Sequence, residues 1–422
     1  MLLHREVVCP FCSIACDDLE VEAAGDELRV VSGGCPISVP AFARRLGAGG
    51  PVVDGVGATL DVAVARAAEL LRASRLPLLA GLGTDTAGAR AAVALAETAG
   101  GVLDHAASAG LFANLRAMQD GGWVATTLAE ARNRADLLLF VGTNTAAATP
   151  RLLERLLRAG PRLVDMAERP LVFLGAEPPE GVSAKYLPCA TEALPGVVGL
   201  LHGMVEGRAP PVAAAGDEDD DPEVPLVALG ALADQLRAAR YALVVWVAGE
   251  LPGPHADLLV GRLAGLLRAL NAVTRAAGLP LAGPDNVGGV NQVCAWQTGV
   301  PLRTSLAAGV PDHDPWRYAA GGMLDRGEVD CLVWVSSFSD IEPPVVAGPT
   351  IALVRCGHLP ERPVDVMIPI GTPGLDHAGS VNRTDAVVTL PLRALRDTGL
   401  PTAAAVLDAI RRELVAPARP EA

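Results

Sequence analysis

Short apolar runs recur along the chain, and each is followed by a stretch rich in Ala, Leu and Arg. These runs occupy residues 76–81, 136–145, 241–249, 330–337 and 349–356. Because each run is apolar throughout instead of alternating, the pattern predicts strands that are covered on both faces. The helix-like stretches between the runs supply that cover. The sequence therefore predicts an α/β fold with mostly parallel sheets.

Two of the intervening stretches have clear helical signals. Residues 60–75 place apolar side chains at helical spacing and lead directly into the first predicted strand. Residues 85–99 follow a Gly-Leu-Gly-Thr turn, and Thr84 or Asp85 is of the type that caps a helix N-terminus. Glycines at 81 and 83 would let backbone amides approach a phosphate, but so short a pattern is not specific.

Composition and charge exclude several classes of protein. The chain has 422 residues, of which 50% are hydrophobic and 19% are charged, so it is a folded protein with two or three subdomains. Aromatic residues make up 3% and the net charge is −14, which argues against a nucleic-acid surface and an anionic membrane. An acid at Glu6 and the lack of a long apolar run indicate no signal peptide and no membrane span. We expect a cytoplasmic protein.

Acidic residues and prolines are concentrated in residues 208–225. Their like charges oppose both helix and sheet, and their spacing does not match a calcium-binding loop, so they predict a linker or surface loop. The predicted organisation is a Cys-rich N-terminal module at 1–55, an α/β subdomain at 56–207, the acidic segment at 208–225, and a second α/β subdomain at 226–422.

Four cysteines are clustered near the N-terminus. Cys9, Cys12, Cys16 and Cys35 have the spacing C-x2-C-x3-C-x18-C. Three thiolates on one tight loop with a distant fourth are typical of an iron–sulfur cluster, here a [4Fe-4S] cluster. Structural zinc and reduced thiols without metal stay open as alternatives. The isolated cysteines are interpreted as small buried hydrophobes; these are Cys189, Cys294, Cys331 and Cys356.

The sequence around the four clustered cysteines carries a family resemblance. Residues 9–22 read Cys-Pro-Phe-Cys-Ser-Ile-Ala-Cys-Asp-Asp-Leu-Glu-Val-Glu, and residues 33–36 read Gly-Gly-Cys-Pro. Together with the stretches 77–97, 286–301 and 324–334, they resemble the B subunit of formylmethanofuran dehydrogenase. The resemblance implies a molybdopterin-oxidoreductase-like fold, with a small Cys-rich N-terminal module and α/β subdomains. It also implies a tungsten or molybdenum pterin held beside a cysteine, a histidine and an arginine.

The sequence departs from that family at the metal centre. The metal-ligating cysteine falls on Ala87, its histidine neighbour on Gly88 and the arginine on Gly288. Alanine supplies no thiolate, so the resemblance implies that molybdenum or tungsten pterin is absent and that the chain is structural and redox-inactive.

Such a degenerate chain is similar to the B subunit of the bacterial formyltransferase/hydrolase complex of methylotrophs. That complex works in tetrahydromethanopterin-linked one-carbon metabolism, in the oxidation of formaldehyde to formate. The resemblance implies three kinds of partner, which are a formyltransferase, a metal-dependent hydrolase and scaffold subunits. It also implies a methanofuran-like carrier.

The competing hypothesis is an active molybdenum or tungsten pterin iron–sulfur subunit with an unconventional metal ligand. Asp85 and His105 are the candidates for that ligand, and His377 is a further histidine in a polar context. Structural hydrogen bonding is the competing interpretation for both histidines. Residues 371–374 and 381–385 resemble the family's pterin-proximal loop, and without a pterin they are interpreted as surface turns.

Overall fold

The computed structural model describes residues 2–47, 49–158, 169–208, 224–251, 253 and 255–416. Residues 209–223, most of the predicted acidic segment 208–225, lie outside the described residues. The chain divides into two compact units. The first, here called the interrupted unit, combines Met1–Ser108 with Pro284–Ala422, and the second, the inserted unit, is Ala109–Gly283.

Nineteen strands are formed by the described residues. In chain order they are β1 (Leu2–Val7), β2 (Leu19–Ala24), β3 (Glu27–Ser32), β4 (Val52–Val53), β5 (Val56–Gly57), β6 (Pro77–Gly83), β7 (Val102–Leu103), β8 (Leu137–Val141), β9 (Leu171–Leu174), β10 (Lys185–Leu187), β11 (Ala242–Val247), β12 (Ala276–Leu281), β13 (Thr304–Ser305), β14 (Asp312–His313), β15 (Cys331–Ser336), β16 (Thr350–Arg355), β17 (Val366–Ile370), β18 (Gly379–Asn382) and β19 (Thr389–Leu392).

Twelve α-helices are formed by the same part of the chain. They are α1 (Ser38–Phe42), α2 (Leu60–Ala73), α3 (Thr86–Ala99), α4 (Ser108–Asp120), α5 (Leu128–Arg134), α6 (Leu152–Leu157), α7 (Leu194–Val205), α8 (Leu226–Ala238), α9 (Ala256–Asn271), α10 (Val287–Thr298), α11 (Ala320–Asp325) and α12 (Ala403–Val415). A short 3-10 turn covers Ala248–Glu250. No described helix is both long and apolar enough to cross a lipid bilayer.

The interrupted unit is built on a nine-stranded sheet of order β14-β13-β7-β6-β15-β16-β17-β4-β5. Its central strands, from β7 to β17, are parallel, and short antiparallel strands extend both edges. The strands β6, β15 and β16 confirm the predictions for 76–81, 330–337 and 349–356. Their side chains are almost all buried, as expected for strands covered on both faces.

The inserted unit is built on a five-stranded, fully parallel sheet of order β10-β9-β8-β11-β12. Its strands β8 and β11 confirm the predictions for 136–145 and 241–249. Trp246 is fully buried in the core on one face, where its indole Nε1 donates a hydrogen bond to Asn114 Oδ1 at 2.8 Å. On the sheet, Phe140 and Phe173 stack with ring centroids 4.6 Å apart. The α/β prediction with parallel sheets is therefore confirmed.

The helix predictions for 60–75 and 85–99 are confirmed by α2 and α3. Asp85 is the N-cap of α3, and Gly100 ends it in the left-handed conformation with φ +66°. Helix α12 packs against both α2 and α3, although it begins more than 300 residues later in the chain. It covers the apolar face that the spacing of α2 and α3 predicts.

The two units do not coincide with the ranges 56–207 and 226–422 expected from the sequence. Helices α7 and α8, on either side of the acidic segment, pack against each other inside the inserted unit. Strand β15 instead returns to β6, where Cys331 pairs with Pro77. The N-terminal module is a three-stranded antiparallel sheet, β1-β2-β3, followed by α1, and it belongs to the interrupted unit.

Candidate functional site

Two of the predicted site positions, Ala87 and Gly88, directly follow the junction between strand β6 and helix α3. Gly81 has φ +73°, and a Cβ there would lie 2.7 Å from Val335 O on the neighbouring strand, so only glycine fits. Asp85 is 4% exposed, and its Oδ1 accepts a hydrogen bond from Gly88 N at 3.0 Å. The N-terminus of α3, where backbone amides point outward and favour negative charge, is thus capped by the chain's own carboxylate.

Ala87 and Gly88 lie in the first turn of α3. The Ala87 side chain is exposed and is a methyl group, so it offers no ligand atom. Gly88 is buried, and a Cβ at this position would lie 2.1 Å from Thr84 Oγ1 and 2.9 Å from Thr84 Cγ2. Since Cβ contacts under 3.0 Å are essentially never seen, Thr84 fills the space that a histidine at position 88 would need.

Gly288 lies at the start of helix α10, which packs against α3. Asn286, the residue before this helix, has φ +60°, and its Nδ2 donates to Thr84 O at 2.9 Å. Its Oδ1 accepts a hydrogen bond from Asn382 N at 3.0 Å. Asn286 therefore links the starts of α3 and α10 to the end of β18. Ala87, Gly88 and Gly288 consequently lie in one region of the interrupted unit.

His105 is fully engaged inside the protein. Ala107 N donates to its Nδ1 at 2.9 Å, which places the ring proton on Nε2, and Nε2 then donates to Asp285 O at 3.1 Å. Burial lowers the pKa of His105 from 6.5 to about 4, so the imidazole is neutral at pH 7. Both ring nitrogens are used by backbone groups, which leaves no lone pair for a metal.

A pH dependence of stability follows from this burial. Because the unfolded histidine binds a proton near pH 6.5 and the folded one only near pH 4, acidification favours the unfolded chain over that range. We expect His105 to remove on the order of 3 kcal/mol of unfolding free energy between pH 6.5 and 4. His105→Asn, which keeps an acceptor for Ala107 N, should flatten this slope in urea unfolding measured across that range. An unchanged slope would contradict the buried, neutral state, and His377→Asn is the matched control.

Two further groups near this region were missed by sequence reasoning. Asp285 is 5% exposed, accepts a hydrogen bond from Ser339 Oγ at 2.5 Å, and has a pKa raised by burial. Arg44 donates to Phe338 O at 2.5 Å, across 294 residues of sequence. No local pattern marks these residues, because each acquires its role only when β15 lies beside β6.

The predicted pterin-proximal loop lies against the start of α3. Thr86 Oγ1 donates to Ser380 O at 3.1 Å, and a Cβ at Gly379 would lie 2.5 Å from Asp85 Oδ2. Residues 371–374 are buried and are not surface turns. The two ring nitrogens of His377 lie 2.8 Å from Ala378 O and 3.2 Å from Gly371 O, a structural arrangement.

Most polar groups of this region are therefore paired with one another. In the part of the chain that the structure describes, three of its buried side-chain oxygens have no hydrogen-bond partner; these are Thr84 Oγ1, Ser337 Oγ and Asn382 Oδ1. They are weak, neutral groups, not acids, bases or nucleophiles with a proton-transfer partner. The hydrogen bonds of Asn286 and Thr86 hold three segments of this region together.

The four N-terminal cysteines come together around one tight loop. Cys9 N donates to Cys16 O at 2.8 Å, and Ala15, with φ +47°, lets the chain turn back. Cys35 approaches from beyond β3. The pKa of the Cys9 thiol is raised, first by burial and then by the nearby charges of Cys12, Cys16 and Cys35. The other three thiols thus lie near enough to Cys9 to interact with it electrostatically, and metal binding by the four cysteines stays a prediction.

The arrangement of these thiols determines which metal ion or cluster they could bind. No three His, Cys, Asp or Glu side chains in the described ranges are arranged to hold a metal ion. Ser38 N contacts Cys35 Sγ at 3.4 Å, a backbone contact of the kind that tunes thiolate ligands. Of the isolated cysteines, Cys189, Cys294 and Cys331 are buried, as their interpretation as small hydrophobes requires. Cys356 departs from that interpretation, because it is only partly buried and its Sγ donates to Gly47 O at 3.4 Å.

Comparison with known proteins gives a consistent result. The chain is 33% identical over 376 residues to the B subunit of the formyltransferase/hydrolase complex Fhc of Methylorubrum extorquens, covering 86% of this chain and 97% of that protein. It is 28% identical over 408 residues to the B subunit of the tungsten-containing formylmethanofuran dehydrogenase 2 of Methanocaldococcus jannaschii, covering 91% and 92%. The counterpart from Methanococcus maripaludis is 26% identical over 424 residues, covering 92% and 93%.

A solved structure agrees with these sequence matches. The crystal structure of the formyltransferase/hydrolase complex from Methylorubrum extorquens with methylofuran contains a chain that matches with a TM-score of 0.74 and 32% identity. The match covers 86% of this chain and 98% of the other. No protein-family model matches the chain.

Proposed function

Because the chain belongs to the family of the B subunit of the formyltransferase/hydrolase complex, we propose that it serves as a structural, redox-inactive component of such a complex. Its partners are the formyltransferase, metal-dependent hydrolase and scaffold subunits, and the complex uses a methylofuran-like carrier. The reaction is the step from formyl-tetrahydromethanopterin to formate in formaldehyde oxidation. The relative's structure, solved as an assembly with methylofuran, supports this proposal.

The redox-inactive part of the proposal rests on the start of α3, where neighbouring side chains fill the space around position 88. Ala87 offers no thiolate, and Thr84 occupies the position of a side chain at Gly88. The unconventional ligands of the competing hypothesis are also engaged, since Asp85 caps α3 and His105 uses both ring nitrogens. We propose that the fold is the molybdopterin-oxidoreductase architecture retained without its pterin.

The similarity to B subunits of tungsten-containing enzymes favours one alternative function, that of an active pterin-binding subunit. In that case a pterin would bind through backbone groups, and its metal would take a ligand that this chain does not now present. The buried Asp85 and His105 would both have to leave their present hydrogen bonds, with the cost of unpairing buried polar groups. The structural role needs no such rearrangement.

Exposed tryptophans support assembly with other subunits. Trp296 and Trp316 are 65% and 56% exposed, in a chain whose aromatic content is only 3%. Tryptophan is enriched among the residues that contribute most to protein interfaces. If the proposal is correct, a tagged version of this chain isolated from the organism that encodes it will carry the other subunits in a fixed ratio. Recovery of the chain without partners would contradict it.

We propose in addition that Cys9, Cys12, Cys16 and Cys35 hold a [4Fe-4S] cluster. Three thiolates on one loop and a fourth from beyond β3 are the usual donor set for a cubane cluster, which spaces its ligands more widely than a single ion does. A single zinc ion would need all four sulfurs about 2.3 Å from one point. In a redox-inactive chain the cluster would act as a cross-link within the N-terminal module.

Protein prepared without oxygen should therefore contain about four iron and four sulfide per chain. Cys12→Ala should lose the iron and its visible absorption, because it removes one ligand of the loop. Cys189→Ala, at an isolated cysteine of the inserted unit, is the matched control and should keep both. Background iron in wild-type protein kept free of oxygen would exclude the cluster, and stoichiometric zinc would identify the alternative.

A further inference from the structure

A small cavity in the interrupted unit lies beside Phe11 of the cysteine loop. Its volume is about 10 Å³, which is the size of one water molecule or one monatomic ion. Four of the ten lining residues are arginines, namely Arg44, Arg45, Arg355 and Arg396. The net charge of the chain is −14, so composition does not explain four guanidinium groups around one small cavity.

Three of these arginines have carboxylate partners. Arg396 Nε donates to Asp376 Oδ1 at 2.6 Å, and both side chains are almost completely buried. Arg355 lies 2.5 Å from Asp340 Oδ1. Arg45 is paired at 3.4 Å with Glu27 in an exposed position. The positive charges of these three arginines are therefore balanced without any bound ion.

Arg44 differs from the other three. It is half-buried, its Nη1 donates to Phe338 O, and its guanidinium lies over the Phe11 ring, 5.7 Å from the centroid. Within the described residues it forms no ion pair with a carboxylate. The pKa of Arg44 is lowered, first by burial and next by the charge of Arg355. Partial desolvation of a cation near another cation is unfavourable, and a nearby anion offsets that cost.

Two carboxylates act on Arg44 from a greater distance, and both are already engaged. The negative charges of Asp340 and Asp285 raise the pKa of Arg44. Burial and the charge of Arg355 together lower it by more, so the pKa of Arg44 is lowered overall. Asp340 is paired with Arg355, and Asp285 accepts a hydrogen bond from Ser339 Oγ. The charge of Arg44 is therefore the one in this cluster that lacks a direct counter-ion among the described side chains.

We propose that this cavity binds one halide-sized monovalent anion, such as chloride, with Arg44 as its main charged contact. A monatomic anion matches both the small volume of the cavity and its lining of four guanidinium groups. The ion neutralises the excess charge at Arg44. It joins the segment after α1 to the end of β16, where Arg355 lies, and so fixes the cysteine loop to the sheet.

Chlorine-35 NMR of the purified complex containing the full chain tests this site. Chloride that exchanges with a protein site broadens the free-ion line, and bromide should compete the broadening away. Arg44→Gln should weaken chloride binding about tenfold or more, since a hydrogen bond to a charged group contributes about 1.5–3 kcal/mol. Arg29→Gln removes the same charge from an exposed position on β3 and should leave the broadening unchanged.

A second measurement does not depend on the folding of any variant. Crystals of the wild-type complex soaked in bromide should show an anomalous scattering peak between Arg44 and Arg355. Bromide peaks elsewhere with none in this cavity would overturn the proposal and identify the occupant as water. Chloride broadening that persists at full strength in Arg44→Gln would overturn it as well.

Discussion

Gly88→His should prevent this chain from folding, and Gly88→Ala should lower its free energy of unfolding by about 1–3 kcal/mol. Alanine is favoured over glycine in a helix by about 1 kcal/mol, so stabilisation would be expected at an open position. Here the Cβ would lie 2.1 Å from Thr84 Oγ1 in a buried turn, too close to be relieved by a small shift. The steric cost therefore exceeds the gain in helix propensity.

Substitutions at Ala87 and Thr84 test whether the loss of stability at position 88 comes from the clash with Thr84. Ala87→His places the same side chain one residue earlier, where the structure is exposed, and should be nearly neutral. Thr84→Ala removes the Oγ1 and Cγ2 atoms that crowd position 88, so Thr84→Ala/Gly88→Ala should recover most of the lost stability. Urea unfolding of the wild type, the two single alanine variants and the double variant gives the coupling energy. Additive effects of the two alanine substitutions would show that Thr84 is not what closes the site.

The strands and helices nearest the site were predictable because burial on both faces leaves a direct mark on the sequence. The run at 76–81 predicts β6, and the cap-type residues Thr84 and Asp85 predict the start of α3, where Asp85 is the N-cap. Helix α3 begins where an acceptor side chain precedes an Ala-rich stretch, a signal confined to a few residues. Such local rules need no knowledge of the remaining chain.

The division into units was not predictable in the same way. The acidic segment 208–225 has the composition of a linker between domains, yet α7 and α8 beside it pack together within the inserted unit. Strands β15 and β6 pair within the interrupted unit, with Cys331 opposite Pro77. The whole inserted unit lies between these two strands in the sequence. Many strand orders satisfy the same apolar pattern, so sequence periodicity alone does not choose among them.

For the site, the sequence identified the positions but not their surroundings. The family resemblance predicts that Ala87, Gly88 and Gly288 replace the metal-centre residues. That Thr84 occupies the space at Gly88, and that Asn286 joins α3 to α10, depends on side-chain contacts between distant segments. The same holds for the cationic cavity at Arg44, which follows only from the fold.

The second large effect expected is the absence of redox turnover with formate. The family resemblance implies a pterin-bound metal beside a cysteine, a histidine and an arginine, and it assigns these roles to positions 87, 88 and 288, where Ala, Gly and Gly supply none of them. Removal of one preorganised group that stabilises the transition state costs about 10²–10³ in rate, so the combined loss leaves no measurable turnover. Formyl transfer and hydrolysis are expected to continue, because the proposed function assigns their chemistry to other subunits.

The most direct test of the proposed redox-inactive role is a pair of assays on one preparation of the complex, isolated without oxygen through a tag on this chain. We expect release of formate from the formyl donor, molybdenum and tungsten at background levels, and no viologen-linked oxidation of formate. Viologen reduction by formate that disappears when bound pterin is stripped from the complex would contradict the redox-inactive role and establish this chain as an active pterin subunit.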